Sequence, residues 1–272
     1  MTYSIKALAA AKKPESDILD VLGKVESPSF GTRRGIVIKI DEGSGYIEEA
    51  LKQLQQMVNQ RIEDVCVNIG GSHIFCTQSH GTVIVSRADQ KISEEDVRRV
   101  IQAARSFSLP SNKEILEIFP KDFIVDGEPI REPREMHGLR LEVDVLALCA
   151  FSPYLKNLTS AVLNAGFQIA DVVPSALASA KAVLSPSQKE LGVCVLDIGG
   201  GTTDLAVYEE GDLVHTAVFP IGSERITYDL AVGLKTDVEI AEKIKQEFGS
   251  CLSKGGNKKE KIEIPQESGS SE

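Results

Sequence analysis

What this chain lacks already narrows its possible work. No run reaches the ~18 consecutive apolar residues of a membrane-spanning helix. Positive charge is in deficit, with 30 Lys and Arg against 40 Asp and Glu and a net charge of −10, so a nucleic-acid backbone is not expected as a partner. The five cysteines (Cys66, Cys76, Cys149, Cys194 and Cys251) are odd in number, scattered, and include no C-x-x-C pair. They read as reduced core thiols of a cytosolic protein, not as a disulfide framework. Lys12-Lys13 follow an Ala-rich segment, the reverse of the order in a secretory signal. There is no Gly-Lys-Ser/Thr phosphate loop, and the glycines do not fit G-x-G-x-x-G. His73, His80 and His137 stand without Cys, Asp or Glu at ligand spacing, so they read as strand-end and loop residues and not as a metal site.

What is present is a strand, a glycine turn and a second strand, Val193 to Tyr208. The apolar run Val193–Leu196 ends in Asp197, Gly199-Gly200-Gly201 follow, and Thr202-Thr203-Asp204 lead into the next strand. A run of three glycines alone is often only a flexible turn. After a buried strand, however, it lets the backbone bend tightly and turn N–H groups toward an anion with no Cβ in the way. Asp197 at the strand end is suited to holding Mg²⁺ through water, and Thr202 and Thr203 add hydroxyl donors.

The rest of the chain reads as layered sheet and helix. Strands are expected over Thr2–Lys12 and Ile18–Glu26 around a turn at Lys13-Pro14-Glu15-Ser16, then over Gly35–Ile40. Asp41 to Gly45 is expected to break that strand before a helix carrying Ile47, Leu51, Leu54 and Val58 on one face. Short strands at Val65–Ile69, Ile74–Thr77 and Thr82–Val85, separated by Gly70-Gly71 and His80-Gly81, lead to a capping-box helix at Ser93-Glu94-Glu95-Asp96. Strands at Glu114–Pro120 and Asp122–Val125 complete a compact α+β unit. A strand at Leu139–Ala150, a helix opened by a Ser152 cap and Pro153, a strand at Gln168–Val173, a small-residue helix at Ser175–Leu184 and a linker at Ser185-Pro186-Ser187 precede the glycine hairpin. Beyond it come a strand at Leu213–Val218, helices at Glu224–Val232 and from Thr236 to Phe248, a strand stub at Ile262–Ile264 and a polar tail.

Asp197-Ile198-Gly199-Gly200-Gly201-Thr202-Thr203-Asp204 resembles the second phosphate motif of the actin, Hsp70 and sugar-kinase superfamily. Taken in order, Gly31-Thr32-Arg33-Arg34-Gly35-Ile36-Val37, Ser93 to Val97, Gly138 to Val143, Glu190 to Val193, Phe219-Pro220-Ile221-Gly222 and Ala241 to Lys245 resemble the FtsA family of bacterial cell-division proteins over nearly the whole chain. The resemblance implies an α/β, actin-like (ribonuclease-H-like) nucleotide-binding fold with an inserted small α+β domain. Residues 1–61 would be the first part of subdomain 1A, 62–138 the inserted 1C (SHS2-like) unit, 139–192 the rest of 1A, and 193–272 the start of 2A with a disordered tail.

It also implies ATP held by Gly199, Gly200, Gly201, Thr202 and Thr203, with Mg²⁺ on Asp197. Glu242 and Lys245 match positions that contact ribose and adenine; as an i, i+3 pair they read equally well as a solvated ion pair. A member of this family polymerises on the inner membrane face, binds the C-terminal tail of FtsZ, and recruits later division proteins through the inserted domain. The first phosphate loop and the C-terminal membrane helix are not in the sequence, so the chain reads as a fragment, with weak ATP binding and at most weak ATPase activity. No Glu stands at Val173-Pro174, where Hsp70-like ATPases have one. The PilM pilus-assembly family and a sugar-kinase-type phosphotransferase remain as alternatives.

Overall fold

The protein is described by a computed structural model covering residues 4–13, 19–86 and 88–252. Strands β1 (Ser4–Lys12) and β2 (Leu19–Pro28) form an antiparallel hairpin; Pro14-Glu15-Ser16 of the expected turn lie outside the described residues. In place of a strand over Gly35–Ile40 there is a two-residue ladder, β3 (Thr32–Arg33) with β4 (Ile36–Val37). Its turn is Arg34-Gly35, at φ +48° and +76°, the positive pair that a tight hairpin demands.

Helix α1 (Ile40–Val58) starts at once, so Asp41 to Gly45 is helix and not a break. Asp41 and Glu42 suit the positive end of the helix dipole. Gly43 is buried, and a Cβ there would sit 3.5 Å from Val37 and 4.0 Å from Ala161; it is a packing glycine.

Then come β5 (Asp64–Ile69), β6 (Phe75–Ile84), α2 (Glu94–Arg105), β7 (Lys113–Val125), β8 (Glu128–Ile130) and β9 (Arg140–Phe151). The two short strands expected around His80-Gly81 are one strand, β6, and the pair around Lys121 is one strand, β7, with register shifts at 115–117 and 120–122. Gly81 does not turn the chain. It lets α2 cross directly above, since a Cβ would lie 2.4 Å from Val100 O and 2.5 Å from Ala104 N. The box at the start of α2 forms as read: Ser93 Oγ accepts from Asp96 N–H, and the Asp96 carboxylate accepts from Ser93 N–H at 3.0 Å.

The chain continues through α3 (Ser152–Asn164), β10 (Gln168–Pro174), α4 (Ser175–Val183), α5 (Pro186–Leu191), β11 (Val193–Ile198), β12 (Thr203–Glu209), β13 (Asp212–Phe219), α6 (Glu224–Leu234) and α7 (Val238–Phe248). Ser152 is the first helical residue of α3 and makes no side-chain cap. Ser185 does cap, with Gln188 three residues on, so the expected linker is the short helix α5. The Thr236 box does not form; Asp237 precedes α7 without a side-chain cap bond. The strand stub at 262–264 and the tail from 253 fall outside the described residues.

Pairing divides the molecule. Parallel β5 runs with β10, while the antiparallel sheet β6-β9-β7-β8 carries α2, and β11-β12-β13 forms a third sheet. Among the described residues, β1 and β5 each have one partner strand. One core joins the first hairpin to α1 and the end of α3 through Ala7, Val25, Leu51, Leu54, Val162 and Phe167. A second lies under α2, with Ile92, Val100, Leu141 and Val143. The third joins the far half of β9 (Leu146, Leu148, Ala150) to α4 and to Ala206, Tyr208 and Leu213. Strand β9 thus belongs to two cores, and the second of them anchors the glycine hairpin.

Candidate functional site

Strands β11 and β12 pair in register, with Asp197 opposite Asp204 and Ile198 opposite Thr203, so Gly199 to Thr202 is a four-residue tip. Gly199 N–H donates across it to Thr202 O at 2.9 Å. The carbonyls of Gly199 and Gly200 turn the other way and accept from the Ser223 and Glu224 amides, each at 2.9 Å. Among the described residues nothing hydrogen-bonds the amides of Gly200, Gly201 or Thr202. With the carbonyls turned back and the amides open, the tip has the donor set of an anion cradle. Gly222 makes this possible: a Cβ on it would lie 2.4 Å from Gly200 O and 2.5 Å from Gly199 O.

Side chains fix the two strand ends. Thr203 Oγ1 donates to Ile221 O at 2.8 Å, and Thr202 Oγ1 donates to Asp204 Oδ2 at 3.2 Å. Ser179 of α4 donates to Asp197 Oδ2 at 2.6 Å, leaving the rest of this carboxylate exposed. Asp204 is buried, and its Oδ1 has no partner. Burial pushes its pKa above the usual carboxylate range; the Thr202 hydrogen bond opposes this, and the charge of Asp197 adds to it. Two facing carboxylates beside open amides suit a hard divalent cation bridging to phosphate oxygens. Asp197 and the orphaned Asp204 therefore fit Mg²⁺, although among the described residues no cluster of three or more His, Cys, Asp or Glu side chains exists to cage a metal alone.

Glu242 and Lys245 stand one turn apart on α7. Lys245 Nζ lies 2.6 Å from Glu242 Oε2, and both bond Thr227 of α6, which donates to Glu242 at 2.5 Å and accepts from Lys245 at 2.9 Å. Burial opposes ionisation of Glu242, but the bonds from Lys245, Thr227 and Gln246 outweigh it and hold its pKa low. Lys245 Nζ also reaches Ser223 O at 3.4 Å. Ser223 therefore links this cluster to the glycine tip, since its N–H holds Gly199 O.

The sequence reading missed several supports of the site. Ser179 reads only as a small helix residue and Gly222 only as part of a matching stretch, while Thr227 gives no local signal. A broad, open groove lies elsewhere, between α2 and β7, lined by Arg98, Arg99, Arg105 and Glu117. The chemistry, however, gathers at the hairpin.

Comparison with solved structures defines the class first. The chain aligns with the PilM-PilN type IV pilus biogenesis complex over 91% of its length at a TM-score of 0.65 and 15% identity. It aligns with the ethanolamine utilization protein EutJ of Carboxydothermus hydrogenoformans at a TM-score of 0.52 and 15% identity, covering 91% of this chain and 59% of that one. The fold is the actin-like one, with a small α+β domain inserted.

The family models described as "Cell division protein FtsA" and "SHS2 domain inserted in FTSA" match residues 194–272 and 71–149. Curated relatives named "Cell division protein FtsA" are 38% identical in Pseudomonas aeruginosa over 248 residues, 38% in Bacillus subtilis over 249, and 31% in Escherichia coli K12 over 265. The chain belongs to the FtsA family. It spans 59%, 57% and 62% of the lengths of those three relatives, which cover 91%, 91% and 97% of it. Those relatives are named as cell-division proteins, not as enzymes. Among the described residues no helix is long and apolar enough to cross a membrane.

Proposed function

We propose that this chain carries the nucleotide-holding part of an actin-like cell-division protein, one that assembles into filaments at the inner membrane face and tethers the FtsZ ring by its C-terminal tail. Membership of the FtsA family supports the cellular role, and the open amides of Gly200, Gly201 and Thr202 are the observation that carries the ligand. In this reading those amides receive the β- and γ-phosphates of ATP, and the Thr202 and Thr203 hydroxyls join them by turning from Asp204 Oδ2 and Ile221 O, to which they donate without ligand. Asp197 and Asp204 hold Mg²⁺, which neutralises phosphate charge. Glu242 and Lys245, already braced by Thr227, present a polar edge to ribose and adenine.

ATP serves here as a structural and switching ligand, with at most weak hydrolysis, since no Glu stands at Val173-Pro174. The inserted unit recruits later division proteins. Strand pairing supports drawing its limits from after Ile69 through Phe151, in place of 62–138, because β5 runs with β10 whereas β9 runs with β6 and β7. Membrane attachment rests on a C-terminal helix of the family and not on residues described here. Likeness to the PilM-PilN complex is one of fold and favours no pilus role.

The test is equilibrium binding of a fluorescent ATP analogue with Mg²⁺ to the chain and to Gly200→Val, whose side chain would fill the cradle. Saturable binding to the parent that falls at least about tenfold in the variant, roughly one charged hydrogen bond's worth, supports the reading. Equal binding by both would overturn it.

A further inference from the structure

The turn between β3 and β4 reaches the glycine tip. A Cβ at Gly201 would lie 3.3 Å from Arg34 Cγ and 3.4 Å from Arg34 Cα, so the Arg34 backbone and stem rest on the cradle itself. On its other side, Gly35 packs against the turn after β5, where its Cβ would meet Gly71 N at 3.0 Å and Gly70 C at 3.1 Å. The Arg34-Gly35 pair is therefore wedged between two glycine turns, which fixes where the Arg34 side chain leaves the backbone. It leaves from φ +48°, a conformation that favours Gly or Asn and disfavours arginine. Arg34 is exposed, and among the described residues no hydrogen bond or ion pair engages its guanidinium.

Electrostatics give that cation a task. The cradle is ringed by carboxylates: Asp197 and Asp204 on the strands, and Glu224, whose Oε2 lies 3.6 Å from the same point above Gly201. Phosphate oxygens beside these carboxylates gain from fixed positive charge as well as from amides. Lys245 is committed to Glu242, whereas Arg34 touches the tip and carries a planar fork of donors suited to phosphate oxygens.

We propose that Arg34 is a phosphate-binding residue, supplied by the β3–β4 turn, whose guanidinium pairs with the phosphate oxygens held by the Gly200 to Thr202 amides. This rests on the reading of the tip as a phosphate site. Occupancy then ties the β3–β4 turn to the β11–β12 hairpin, so the same contact draws the two together.

The experiment titrates the 272-residue chain, Arg34→Gly and Arg34→Lys with a fluorescent ribose-labelled ATP and Mg²⁺ at two salt concentrations, with a thermal melt of each. Glycine suits the positive φ, so Arg34→Gly should melt no lower than the parent. It should nevertheless bind about tenfold more weakly or worse, with a shallower salt dependence, while Arg34→Lys falls between. Parent-like affinity in Arg34→Gly would overturn the proposal. So would a fall in melting temperature that tracks the fall in affinity, because Arg34 would then be a structural turn residue. A parent chain that binds no nucleotide would sink the phosphate reading first and this inference with it, and the parent titration separates the two failures.

Discussion

At the scale of single residues, the site carries a built-in cost. Asp204 is 6% exposed, one of its oxygens has no partner, and Asp197 faces it across the hairpin. Its pKa is raised above the ordinary 3.8, first by burial and then by Asp197, against the Thr202 bond. A carboxyl whose folded pKa is raised favours the folded state only while protonated. Its contribution is complete below the ordinary value and is lost as pH rises through the folded value. Asp204→Asn keeps the shape and removes the charge. In chemical denaturation without ligand it should therefore be the more stable protein at pH 7, on the order of 1 kcal/mol, with the gap closing toward pH 4. Equal stability at both pH values would contradict the buried-charge reading. Asp96 shows the opposite balance: it too is buried, but bonds from Ser93 and Ser86 outweigh desolvation and keep its pKa low. The difference lies in donors: Asp96 has a full set, whereas Asp204 has one.

At the scale of elements, glycine meant two things that a linear reading cannot separate. Gly199 to Gly201 turn the chain, and their role was legible because strand, turn and strand are contiguous. Gly81 and Gly43 look like breakers in sequence, yet both sit inside regular elements, since what they accommodate is a distant backbone or side chain. The capping box at Ser93 was legible for the same reason as the hairpin, being complete within four residues. The Ser185 box was hidden by the proline beside it, which reads as linker and acts as a first-turn helix residue. Arg34 was invisible as a site residue because its contact with Gly201 spans most of the chain. A paired measurement tests the packing account. Gly81→Ala forces its methyl into the α2 backbone at 2.4 Å and should cost about 1–3 kcal/mol of unfolding free energy. Gly45→Ala, within α1 with nothing within 4 Å of its Cβ, should instead stabilise by up to about 1 kcal/mol. Similar effects from both would mean that Gly81 is not a close-packing site.

At the scale of the whole molecule, two of the three cores meet along β9, and the glycine hairpin is fastened to the one that also holds α4 by Ala206, Tyr208 and Leu213. The tip is thus held from three sides: α4 through Ser179, the β3–β4 turn through Arg34, and α6 with α7 through Ser223. The class of fold was legible in the order of strands and helices. Which strands share a sheet was less so, because β5 runs with β10 whereas β9 runs with β6 and β7, pairings that sequence texture does not carry. A ligand at the tip would be felt by all three supports. The most direct measurement is a titration of the ¹⁵N-labelled chain with Mg-ATP, followed by amide chemical shifts. Saturable shifts largest at Gly200, Gly201 and Thr202 are the expected result; saturating nucleotide that leaves those three amides unmoved would contradict the assignment of the tip as a phosphate cradle.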